Sequence, residues 1–133
     1  MKKRFNDNFY DKYREIKERA VSITIIADRE GCLKIESHIN QDKLKQRDVY
    51  EYGLQLIING TTEETTEIVL KNIVNQEIDE QSKIFKTIQK EAVMFLFRNE
   101  STSKLLAIMN SYTDLTLEED NLYDLGEHNE KNI

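Results

Sequence analysis

The chain has 133 residues, with 25 acidic and 19 basic side chains, a formal charge of −6, one cysteine and neither proline nor tryptophan. That length suits one domain, and 37 Leu, Ile, Val and Phe residues hold the apolar content above that of disordered chains, so a lean core beneath a heavily charged surface is expected. The lone Cys32 excludes an internal disulfide and reads as a small buried apolar residue, the longest apolar run (residues 20 to 27) is far short of the ~20 residues that span a bilayer, and the basic start lacks the apolar stretch of a signal peptide, so the chain reads as soluble and cytoplasmic.

From Phe5 the apolar positions fall at Phe9, Tyr13, Ile16, Ala20, Ile23 and Ala27, a spacing of three and four that predicts a helix. A buried strand over residues 20 to 27 is the alternative, because Val21, Ile23, Thr24, Ile25 and Ile26 are β-branched. Gly31 is either a stop or a close-packing point, after which Leu33, Ile35 and Ile39 carry the apolar pattern to residue 39. Asn40 and Asp42 offer caps for a second helix over residues 42 to 58, with Val49, Tyr52, Gly53, Leu56 and Ile57 on one side and Asn59-Gly60 as its end. Thr61 and Glu64 have capping-box spacing, which opens a third helix predicted over residues 63 to 98 and roughly 50 Å long, since no proline interrupts it. Its stripe of Val74, Ile78, Phe85, Ile88, Ala92 and Phe95 forms a helix-packing or oligomer seam. After a corner at residues 99 to 101, a fourth helix over 102 to 112 presents Leu105, Leu106, Ile108, Met109 and Tyr112, and Thr116 with Glu119 allows one more turn. The expected fold is all-α, with three to four helices, two of them long and packed antiparallel. A single domain over residues 1 to 112 precedes an acidic, largely disordered tail over 113 to 133.

The charge is unevenly placed. Asp114, Glu118, Glu119, Asp120, Asp124, Glu127 and Glu130 face only Lys131, so the tail carries the whole −6 and the body is neutral. The first 19 residues lean basic, but too mildly for a nucleic-acid surface. Glycines at 31, 53, 60 and 126 make no phosphate loop, and His38 and His128 alone assemble neither a zinc site nor a Ser-His-Asp triad. Residues 120 to 125 lack the third and sixth positions of a calcium loop, and Glu63-Glu64 and Asp79-Glu80 read as solvated helix faces. The expectation is a non-catalytic chain without cofactor or metal.

Two segments carry a family resemblance. Residues 27 to 36 (Ala-Asp-Arg-Glu-Gly-Cys-Leu-Lys-Ile-Glu) and residues 53 to 64 (Gly-Leu-Gln-Leu-Ile-Ile-Asn-Gly-Thr-Thr-Glu-Glu) resemble the cytoplasmic segment of the MotA family, the stator subunits of the bacterial flagellar motor, within the wider MotA/TolQ/ExbB group. Order and spacing agree over residues 20 to about 90. The family's segment runs through a long acidic helix into a transmembrane hairpin. Here the chain passes instead into residues 91 to 102, loosely similar to the family's post-membrane helix, so ion conduction does not transfer. The resemblance implies a soluble module at the flagellar base, without direct membrane insertion, that meets a rotor or stator protein such as FliG through charged side chains at the corner between the first two helices. In this chain that corner is the region of Glu36, Lys43, Lys45, Arg47, Asp48 and Glu51. A helical homodimer serving as an adaptor unrelated to motility is the alternative, and a small-molecule or regulatory binding domain is a third class.

Overall fold

The computed structural model describes residues 5–115, and every regular element among them is helical. Helix α1 (Asp7–Glu30) starts where the Asn6 side chain accepts the Phe9 amide at 2.9 Å. Phe5, Phe9, Tyr13, Ile16, Ala20 and Ile23 are all buried, as the spacing predicts, and the helix continues through residues 20 to 27 where the strand was the alternative. Gly31, with φ of 89°, takes a backbone conformation that side-chain-bearing residues avoid, and it stops the helix. The chain then folds into a 3-10 helix (Cys32–His38) that buries Ile35 but leaves Leu33 77% exposed. Cys32 is exposed as well, against the sequence expectation, because this short helix has one inward face and Ile35 fills it.

The helix predicted over residues 42 to 58 is divided. Asn40, not Asp42, caps the short α2 (Gln41–Lys45), Arg47 turns the chain with φ of 63°, and Asp48 caps α3 (Val49–Ile58). The Arg47 amide donates to Leu44 and the Asp48 amide to Lys43, both at 3.0 Å, the paired closure of a Schellman turn, with arginine in the place glycine normally takes.

The 50 Å helix predicted over residues 63 to 98 is likewise divided, into α4 (Glu63–Asn75) and α5 (Glu80–Phe95). Thr62 caps α4 by accepting the Thr65 amide, so the Thr61–Glu64 box does not form. Between the two helices the Glu77 carboxylate accepts the amides of Ile78 and Asp79, and Asp79 accepts that of Ser82, so side chains take up the amides that a helix break frees. The physical reason for the break is burial. One straight helix would leave half its apolar stripe in water, whereas the folded-back pair buries Leu70, Ile73 and Val74 together with Ile88, Ala92, Val93 and Phe95 in one core. Ion pairs Lys86–Glu77 at 3.0 Å and Lys90–Glu67 at 2.9 Å cross the hairpin. Helix α6 (Thr102–Asn110) follows an Asn99 corner with φ of 54° and buries Leu105, Leu106 and Met109 against α1 and α5.

Among the described residues the division into six α-helices and one 3-10 helix therefore exceeds the three to four expected, although these residues remain all-helical. Gly53 sets how closely α3 approaches α5: a Cβ there would lie 2.6 Å and 2.8 Å from the two methyls of Val93. Phe5 stacks on Phe9, with ring centres 4.0 Å apart, and Phe9 meets Phe85 edge-on, which joins the start of α1 to α5. The Tyr10 hydroxyl donates to Asp114, and Leu115 packs on the core, so residues 113 to 115 belong to the folded body and not to the tail. The Thr116–Glu119 turn and the rest of the acidic segment lie outside the described residues. No helix among the described residues is long and apolar enough to cross a membrane.

Candidate functional site

One ion pair organises the corner between α1 and α3. Arg19 lies one turn beyond Ile16 on α1, at the edge of the buried stripe, and its guanidinium reaches Glu51 in the first turn of α3. Nη2 donates to Glu51 Oε1 at 2.7 Å and Nε to Oε2 at 3.3 Å, a forked contact, while Nη2 also donates to the His38 carbonyl at 2.7 Å. Glu51 Oε1 accepts the Asn40 amide at 2.9 Å as well. A single pair of side chains thus ties α1, the end of the 3-10 helix, the start of α2 and α3. Burial alone would lower the pKa of Arg19, but the bonds and charge of Glu51 outweigh it and raise the pKa, so the guanidinium stays charged. The same guanidinium lies 5.9 Å from the ring centre of Tyr50, whose own hydroxyl is pushed far above the usual phenol range by burial and stays neutral.

Asp48 extends the network to α5. Its Oδ2 accepts the Glu51 amide at 3.1 Å and its Oδ1 accepts Gln89 Nε2 at 3.1 Å. Beside these groups an open cleft of about 360 Å³ lies between α1, the α2 corner and α5, with Ile16 and Phe85 as its apolar walls.

The residues predicted to meet a partner divide into two sets. Glu36, Lys43, Lys45 and Arg47 are exposed, and Lys43 makes only a loose pair with Glu15 at 3.8 Å. Asp48, expected at the surface, is half-buried because it caps α3, and Glu51 is almost fully buried because it holds Arg19. These two carboxylates shape the corner from within. Lys43, Asp48 and Glu51 line the cleft, whereas Glu36, Lys45 and Arg47 do not.

Of the proposed seam, Val74, Ile88, Ala92 and Phe95 are buried in the chain's own core, and Phe85 is partly buried on the cleft wall. Ile78 is 96% exposed on the α4–α5 turn. The continuous stripe is absent because the helix is broken at its middle, and its buried members pack helices within one chain.

Sequence reasoning missed Arg19, Lys12 and Gln89, all on the cleft. Arg19 alone left a signal, a cation three residues from Ile16 beside an apolar stripe, whereas nothing local distinguishes Lys12 or Gln89 from other polar helix positions. Among the described residues no three His, Cys, Asp or Glu side chains group so as to hold a metal ion. Comparison with models of protein families, with curated proteins and with solved structures returns no match for this chain.

Proposed function

We propose that the chain is a non-catalytic protein-interaction module whose docking surface is the α2 corner. The observation that carries this reading is an imbalance of committed charge. Two acids of the corner are spent on the fold, Asp48 as a cap and Glu51 on Arg19, so that exposed Lys43, Lys45 and Arg47 outnumber exposed Glu36 and Asp42, and among the described residues they have no closer carboxylate than Glu15 at 3.8 Å. Arg47 holds a left-handed conformation that costs a non-glycine residue about 1 kcal/mol or more, and such strain is concentrated at functional sites. The fitting partner presents an acidic surface, and complementary charge speeds and orients the encounter.

The MotA resemblance supplies the candidate partner, a flagellar rotor or stator protein such as FliG, met on the cytoplasmic side of the flagellar base. Its two matching segments flank this corner, although the long acidic helix that the resemblance implies is here a hairpin. The homodimer alternative draws less support, because most of its seam is buried inside one chain.

A pull-down from flagellated cells tests both levels of the reading. The expected result is recovery of a motor protein at low ionic strength, released by salt and lost in Lys45→Glu/Arg47→Glu. Recovery of no motor protein would overturn the motor assignment, and salt-insensitive recovery, unchanged by the charge reversals, would overturn the docking surface.

A further inference from the structure

The cleft between α1, the α2 corner and α5 has the dimensions and chemistry of a small-ligand site, which the docking surface neither needs nor explains. At about 360 Å³ it falls at the lower end of the range that takes small molecules. Its walls are apolar at Ile16 and Phe85, and its floor is the Arg19–Glu51–Asp48–Gln89 network. The free valences decide what fits. Glu51 is filled by Arg19 and the Asn40 amide, and Asp48 by the Glu51 amide and Gln89. Lys43 has only Glu15, at the outer limit of an ion pair. Lys12 has no carboxylate partner among the described residues, and its ammonium lies 6.0 Å from the centre of the Phe85 ring. Gln89 is only 5% exposed, yet while its Nε2 donates to Asp48, its amide oxygen receives no hydrogen bond. That oxygen keeps contact with solvent in the cleft, so a donor on a ligand can reach it.

We infer that this cleft binds a small aromatic carboxylate, with the carboxylate on Lys12 and Lys43, the ring between Ile16 and Phe85, and a hydroxyl or N–H at its far end donated to Gln89 Oε1. An ammonium–carboxylate bond at a half-open mouth gives the charge selectivity, and the ring gives most of the buried area. A neutral or cationic ligand adds no charge partner for Lys12, and a ligand without a donor forgoes the hydrogen bond to Gln89 Oε1. The site stands independently of the docking surface, sharing only Lys43 with it.

The test uses 3-(4-hydroxyphenyl)propionate with the full chain, followed by amide and side-chain NMR shifts and by calorimetry. Saturable shifts on Phe85 and Gln89 are expected, with affinity falling about tenfold for the corresponding propionamide and about fivefold for 3-phenylpropionate, as loss of one charged or one neutral hydrogen bond predicts. Lys12→Ala should weaken the acid about fivefold while leaving the propionamide unchanged. Lys45→Glu/Arg47→Glu, which alters the docking surface but not the cleft, should keep the binding. Equal affinity for acid and amide, shifts that map outside the cleft, or no saturation by about 10 mM, where ligands of this size bind if they bind specifically, would each overturn the assignment.

Discussion

Removing the Glu51 carboxylate tests whether the α1–α3 corner rests on one buried pair. In Glu51→Ala the Arg19 guanidinium loses its forked partner and the Asn40 amide loses its acceptor, but the Arg19 side chain is 29% exposed and can turn toward water. The expected cost is about 3 kcal/mol, at the lower end of what breaking a buried pair brings. Arg19→Met is harsher, about 4 kcal/mol, because it strands a carboxylate whose side chain is only 3% exposed with the Asn40 amide as its sole remaining partner. The double variant Arg19→Met/Glu51→Leu replaces both charges by apolar groups of similar bulk and is expected to lose less than Arg19→Met alone, since neither charge is then left buried and unpaired. Urea unfolding followed by circular dichroism measures all three against a domain stability of the order of 5–15 kcal/mol. Additive losses in the double variant, or a loss below about 1 kcal/mol in Glu51→Ala, would refute the account of the corner as a mutually compensating pair.

Three other outcomes follow from the geometry. Gly53→Ala gains about 1 kcal/mol of helix propensity but forces a methyl against Val93, so a net loss of about 1–2 kcal/mol is expected in the same unfolding assay, and a Val93→Ala background should shrink that loss. Arg47→Gly relieves the left-handed backbone and is expected to stabilise the chain by about 0.5–1 kcal/mol while weakening capture of the acidic partner, a combination that thermal unfolding and the pull-down read separately. The carboxyls of Glu77 and Asp79 both titrate below their ordinary values, Glu77 chiefly through Lys86 and Asp79 chiefly through the Ser82 amide. Because a depressed carboxyl stabilises the fold above its unfolded pKa and loses that contribution as pH falls through its folded one, acid should loosen the α4–α5 turn only below the ordinary carboxyl range, visible as NMR titration of the Ser82 amide with a midpoint below the usual aspartate value.

The helical class and the inward face of α1 were legible in the sequence because a spacing of three and four depends only on neighbours along the chain. Of the five residues expected on one face of the fourth helix, Leu105, Leu106 and Met109 are buried for the same reason, and Ile108 and Tyr112 are partly buried. The helices expected over residues 42 to 58 and 63 to 98 were divided where the decision was tertiary. Glu77 and Asp79 look like ordinary charged helix residues, and only the burial gained by folding α4 onto α5 makes them caps. Arg47 carries no mark of a turn, since its left-handed conformation is imposed by the hydrogen bonds that close α2. The corner was found as a region, but which of its charges face water depended on Arg19, more than thirty residues from Glu51, and a pairing at that separation leaves no periodic trace.

The exposed Cys32 makes the surface chemically singular. Because it is the only thiol in the chain, a maleimide dye or spin label attaches at one place without any substitution, on the 3-10 helix whose far end Arg19 holds through the His38 carbonyl. Such a label would report the release of that helix when the Arg19–Glu51 pair is broken. The same thiol can join two copies of the chain under oxidising conditions, so a covalent dimer that disappears with reductant is a product of Cys32 chemistry and says nothing about the hydrophobic faces of the helices.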